Sequence, residues 1–447
     1  MQNNGPVQLA VNYRLLVIRL RGRQHTLGRD FWLYFGGQLV SQVGSSFTSF
    51  AFPLLVFKLT GSATDLALST AANLVPYLLF GLVLGALVDR LDRRRMMLWT
   101  DVARAAVILI LPVLALSGQL LVADIYAVAF VQSTLGILFN CGEFAAIPSL
   151  VGQDDLVAAN GRIMATNSAG QIVGPILAGV LVTFMSPANL LFFDAASFLV
   201  SAACLAAIKR SFNSDPPAAR GAAGGTGLFE DVREGLRFVW SHPVLRSISI
   251  MMALINFVAA TPLAQLVLFA KQTLGASDTQ VAVLFAAGAA GIVIVAAAAA
   301  PIRRRLSFAV TALGALVISG LTVTVMALLA SYPAALFLWA ASQGFGLLLN
   351  INTGALRQAI VPSRLYGRVI SVASVLAWSA IPLGALAGAA AIRLTGSVAD
   401  VYAASGILIA LIALAFAFSP VRHGDRYLAE AAAAKAPDAS DAGSFSV

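Results

Sequence analysis

Two carboxylates fall inside long apolar stretches of this chain, Glu143 and Asp194. An ionisable group within a membrane is costly to keep, so it is retained where it does chemistry or where it is paired. The chemistry open to a partly desolvated carboxyl is reversible proton binding near neutral pH. Glu143, beside Asn140, therefore reads either as a proton carrier or as one partner of an ion pair with Arg162 or Arg357. Asp194 reads as a second carrier or as an interhelical hydrogen-bond acceptor. Around them, polar side chains recur at helical spacing. Gln38, Ser41, Gln42 and Ser45 follow i, i+3, i+4, i+7 and share one helix face, the pattern of a stripe turned to water or substrate. Asn256 and Gln265, with Gln343 and Asn350, are the counterparts in the second half, and Asn140 joins the first set.

The elements that must position these groups are membrane helices. Of the 447 residues 59% are hydrophobic and 11% charged, with mean hydropathy +0.86. Soluble domains carry about 25% charged residues. Crossing the bilayer takes about 20 apolar residues, and twelve spans meet that length. They are 31–57, 65–88, 97–117, 120–144, 160–185, 188–208, 245–271, 279–302, 306–330, 334–356, 367–393 and 398–419. Basic residues concentrate in alternate connections, with 25 of the 29 on the side of the two termini, which places both termini in the cytoplasm. The net charge of +9 is thereby explained without nucleic acid, because the basic residues form short blocks and no continuous face.

The chain echoes itself. Arg93–Arg95 recur as Arg303–Arg305, and Ile147-Pro148-Ser149 as Val361-Pro362-Ser363. The expected organisation is a cytoplasmic tail (1–30), a six-helix bundle (31–208), and a linker with an amphipathic helix at 229–240 (209–244). A second six-helix bundle (245–420) and a disordered cytoplasmic tail (421–447) complete it. Duplicated halves place a substrate site near the midplane between them, with access alternating by rocking. The fold class is all-α integral membrane.

Between spans 2 and 3 lies Gly85-Ala-Leu-Val-Asp89-Arg90-Leu-Asp92-Arg93-Arg94-Arg95. This run resembles the loop between helices 2 and 3 of the major facilitator superfamily of transporters. An acid at Asp92, where the superfamily usually has glycine, is similar to the branch that includes the enterobactin exporter and the macrolide efflux proteins. Gly37-Gln38-Leu-Val-Ser41, Asp194-Ala-Ala-Ser-Phe198 and Glu234-Gly-Leu-Arg-Phe-Val239 look like the same branch. The resemblance implies a gate built from Gly85, Asp89, Arg90, Arg93 and Arg94, with the arginines reaching an acid such as Asp101. Gly170, Gly174, Pro175 and Gly179 in span 5 resemble the motif of proton-coupled antiporters; a kinked packing seam is the alternative reading. In span 4, Gln132 stands where related drug antiporters carry an arginine, so a mechanism relying on that arginine does not carry over.

The implied function is secondary export of small amphipathic molecules, drug- or macrolide-like, across the bacterial inner membrane by proton antiport. The alternatives are a siderophore exporter and, from another class, a lipid-translocating protein. No lysine or arginine is expected at mid-depth, which favours neutral or cationic cargo. No Gly-Lys-Ser/Thr loop for nucleotide phosphates occurs, and neither a metal site nor an enzymatic constellation is expected. The proton gradient is the expected energy source, the small-molecule substrate and membrane lipid the expected partners, and a monomer the expected state.

Overall fold

The computed structural model describes residues 28–88, 91–151, 156–210, 212 and 228–435, and among them there is no strand. Helices α1 (Arg29–Thr60), α2 (Ala63–Val88), α3 (Arg93–Leu116), α4 (Val122–Leu150), α5 (Leu156–Leu181) and α6 (Leu190–Ala207) make the first half. The linker contributes α7 (Leu228–Ser241), where the amphipathic helix was expected. The second half contains α8 (Pro243–Ala264), α9 (Leu266–Gln272), α10 (Asp278–Arg305), α11 (Ala315–Leu329), α12 (Tyr332–Ile360), α13 (Ser363–Trp378), α14 (Ala380–Thr395) and α15 (Val398–Phe416). Among the described residues, ten helices are long and apolar enough to span a membrane. The remaining two expected spans lie on α2 and α5, each a 26-residue helix.

Local chemistry sets the helix ends. Asp92 is in extended conformation and its side chain accepts from the amide of Arg95, so the acid that stands in place of the usual glycine N-caps α3. Ser277 and Gln280 form a reciprocal capping box at the start of α10. Gly61 closes α1 in the left-handed region at φ 60°, where a side chain would be strained.

Two expected spans are broken helices. Span 7 is interrupted at Gln265, three residues after Pro262, between α8 and α9. Proline supplies no amide and weakens the turn around it. The Tyr402 hydroxyl donates to the Pro262 carbonyl at 2.5 Å, and the Tyr402 ring stacks on Phe269 at 4.3 Å. Span 11 breaks at Ser379, between α13 and α14.

The halves repeat the same internal packing. In lipid, helices associate through close van der Waals contact at small residues. α5 lies on α1 through Gly174, where a Cβ would come within 2.1 Å of the Ser46 Cβ; α14 lies on α8 through Gly388, where a Cβ would come within 2.0 Å of the Thr261 hydroxyl. Between halves, α5 meets α10 and α2 meets α14. At the end of the bundle away from the termini the halves are tied. Lys58 pairs with Asp278, Lys271 reaches Asp278 at 2.6 Å, and Gln265 donates to the Ala63 carbonyl at 2.8 Å.

The tail expected to be disordered begins with a short turn at Pro420–His423 and a helix, α16 (Gly424–Lys435). Contacts hold it: Val421 is fully buried, and Asp425 bonds to Arg303 in the last turn of α10 and to the Phe308 amide in the α10–α11 connection. Residues 436–447 and the N-terminal residues 1–27 lie outside the described residues.

Candidate functional site

A cavity of about 410 Å³ lies within the first half, lined among the described residues by side chains from α1 to α6. The α1 stripe forms one wall: Gln38, Ser41, Gln42 and Ser45 all line it, and Thr48 extends the stripe by one more turn. Asn140 and Glu143 enter from α4, and Asp194 from α6.

Asp194 is 1% exposed and is held by hydroxyl donors. Thr48 donates to one carboxylate oxygen; Ser197 (3.2 Å) and Ser45 (3.5 Å) donate to the other. Each hydrogen bond to a charged acceptor contributes about 1.5–3 kcal/mol, against a desolvation penalty of similar order. Glu143 accepts from the Tyr34 hydroxyl at 2.6 Å. Tyr34 lies four residues before Gln38, so it belongs to the same helical face and its role was legible at that spacing.

The cavity also holds a guanidinium. Arg104 sits eleven residues into α3, about 16 Å from the helix start at 1.5 Å per residue. That depth corrects the expectation of no mid-depth cation: α3 begins at Arg93, so Arg104 is at its middle rather than its edge. Its Nε donates to the Gln132 side chain at 3.4 Å, and Gln132 donates back to the Arg104 carbonyl at 2.7 Å. The guanidinium carbon lies 4.0 Å from the centre of the Phe198 ring, a cation–π geometry. Behind it, Asp101 is 0% exposed and 3.8 Å from Arg104 Nη1. Gln132 therefore keeps a guanidinium beside it although α4 supplies none. With Arg104 in the cavity wall, the expectation against an anionic cargo loses its basis.

The expected gate divides differently. Asp89 and Arg90 lie outside the described residues, and Gly85 lies within α2. Arg94 donates to the carbonyls of Leu205 (2.9 Å) and Ala206 (2.6 Å), and the fully enclosed Arg93 donates to the Phe212 carbonyl at 3.2 Å. Asp101, about 12 Å further along α3 than Arg93, has Arg104 as its charge partner.

Two further cavities continue toward the second half. One, of about 380 Å³, lies between halves: Gln42, Ser45 and Ser49 face Phe285, Leu263, Leu266 and Trp339, with Gln343 at the boundary. The other, of about 290 Å³, sits in the second half and includes Asn256, Gln343 and Asn350; no charged residue lines it among the described residues. Asn256 donates to the Ala377 carbonyl at 3.0 Å, just ahead of the α13–α14 break. Gln265 belongs to neither cavity. It is fully buried and crosses to the Ala63 carbonyl, so it joins halves instead of facing cargo. In the span-5 motif, Gly170 and Gly174 pack on α1, the buried Pro175 borders the cavity between halves, and Gly179 meets Ala282 of α10 across the interface.

Residues 25–441 match the model of a family described as "Transmembrane secretion effector". A multidrug efflux pump, Tap, of Mycolicibacterium fortuitum is 31% identical over 84% of this chain and 90% of its own. The Tap pump of Mycobacterium tuberculosis (strain ATCC 25618 / H37Rv) is 28% identical over 88% of this chain and 91% of its own. The macrolide efflux protein A of Streptococcus pyogenes is 28% identical over 40% of this chain and 44% of its own. Among solved structures, a bacterial homologue of the lysosomal transporter Spinster superimposes with TM-score 0.68 at 14% identity, covering 90% of this chain and 97% of that one. A bacterial homologue of the iron transporter ferroportin gives 0.65 at 18%, covering 87% and 99%. At those identities the likeness shows the fold alone.

Proposed function

The chain belongs to the transmembrane secretion effector family, among the efflux transporters of the major facilitator superfamily, and we propose that it exports small amphipathic, drug- or macrolide-like molecules by alternating access coupled to proton entry. One observation carries this reading. A polar cavity holding Glu143, Asp194 and Arg104 adjoins a cavity between the halves whose far wall is aromatic and aliphatic. A cargo with a polar group and an apolar body fits that sequence of surfaces: the polar group meets the first half, the body meets Phe285 and Trp339 of the second.

Glu143 and Asp194 carry the proton. Both reach the cavity, and hydroxyl donors hold each of them there. A hydroxyl can donate to a carboxylate or accept from a carboxylic acid, so the same partners serve both protonation states. Asp89 with the arginine cluster gates the cytoplasmic end. The tied end, at Lys58, Asp278 and Gln265, faces outward, both termini face the cytoplasm of a bacterial inner membrane, and the working unit is a monomer. Neither nucleotide nor metal enters this scheme.

The test is uptake of ethidium into inside-out proteoliposomes under an imposed pH gradient. Expected is a drop of about tenfold or more when the gradient is dissipated, and loss of the gradient-dependent part in Glu143→Gln and Asp194→Asn. Uptake indifferent to the gradient would identify facilitated diffusion and overturn proton coupling.

A further inference from the structure

We infer that the segment after the last membrane helix, Pro420–Lys435, is the end-clamp of the second half, and that Asp425 is the acid partner the Arg303–Arg305 run lacks in its own connection. In the first half, the arginines after α2 hold the chain at and just past the end of α6. Arg94 takes the carbonyls of Leu205 and Ala206, and Arg93 takes that of Phe212, which the Ser149 hydroxyl also reaches at 3.2 Å. The second half solves the same problem with a side chain. Arg303 Nη2 lies 2.5 Å from one oxygen of Asp425, while the other oxygen accepts from the Phe308 amide at 2.7 Å. Arg303 Nη1 closes the connection on itself through the Leu306 carbonyl at 2.9 Å.

Packing makes the contact specific. Phe308 is fully buried, and a Cβ at Gly424 would come within 2.4 Å of its ring. Only glycine lets the tail backbone approach that closely. On its other side the tail touches the linker end, with the Tyr427 ring 5.8 Å from His242. The connection so held begins at the end of α10, the helix that packs on α5 of the other half. Asp425 is thus a positioning residue: through Arg303 and the Phe308 amide it sets the end of a helix at the moving interface, and touches no cargo.

The inference uses transport as one readout and so rests in part on the exporter reading; a second readout is independent of it. In membrane fragments with both faces accessible, tryptic cleavage at Arg422 and Arg426 reports whether the tail is docked. Asp425→Ala should speed that cleavage at least fivefold and lower the maximal ethidium transport rate several-fold with KM unchanged. Asp425→Asn, which keeps an oxygen for the Phe308 amide, should fall between. The exchange Arg303→Asp with Asp425→Arg should recover part of both losses relative to either single variant. Unchanged cleavage in Asp425→Ala overturns the clamp, and so does a released tail with wild-type transport. A wild-type protein that moves no ethidium would sink the exporter reading and leave the cleavage result to decide whether Asp425 holds the tail.

Discussion

The two halves share their packing and differ in where they keep charge. The first half carries Glu143, Asp194 and the Asp101–Arg104 pair in or beside its cavity, and its end is held largely by arginines on backbone carbonyls. In the second half the cavity is lined by amides, hydroxyls and apolar groups, and the ion pair with Asp425 lies at its end. Duplicated bundles therefore need not duplicate chemistry. Helix packing depends on small residues at a few crossings, whereas a buried charge is costly and one set suffices.

The contrast can be broken most forcefully at Arg104. Arg104→Gln leaves Asp101 enclosed without its charge partner, and removing one member of a buried pair costs about 3–5 kcal/mol. Thermal unfolding in detergent should show a drop of several degrees, largely restored by Asp101→Asn in the same chain. Asn256→Ala in the second-half cavity should move the midpoint far less. An equal drop at the two positions would end the claim that charge sets the first-half cavity apart from the second-half one.

Shared packing predicts a smaller, symmetric effect. Gly174→Ala and Gly388→Ala each force a Cβ into a helix crossing, at a cost of roughly 1–3 kcal/mol. The two losses should agree within about a factor of two; a harmless substitution at one would mean that the halves do not pack alike.

The smallest effect concerns the linker end. Burial holds the pKa of His242 below its ordinary value, so the folded protein keeps it neutral while the unfolded chain takes up a proton near pH 6.5. Stability present above pH 6.5 is therefore lost progressively as pH falls below it, down to the lowered folded value. Comparing unfolding midpoints at pH 7.5 and 5.5, His242→Gln should reduce the difference; an unaltered difference would assign it to other groups.

Much of the fold was legible because the decisive signal is local. An apolar run of fixed length forms a helix in lipid whatever surrounds it, and the caps at Asp92 and Ser277 are written within a few residues. The α1 stripe was legible too, since spacing alone puts Gln38, Ser41, Gln42 and Ser45 on one face. Gln265 and Arg104 were not. Each is a lone polar residue in an apolar span, and the same residue can join halves, line a cavity or face a loop depending on how the span is rotated and how deep it starts. The tail helix escaped detection because its alanine-rich sequence has little apolar face of its own; Gly424 and Asp425 hold it against Arg303 and Phe308, more than a hundred residues away.

From sequence alone came the membrane class, the two related halves, the likeness to an efflux family and the carboxylates worth testing, all properties of short segments or of exact residue order. Only the tertiary structure decided that Arg104 stands beside Gln132, that Gln265 joins the halves and that Asp425 completes the second arginine cluster. Those are contacts between helices distant in the chain, and helix rotation and crossing, which no single segment encodes, determine which side chains meet.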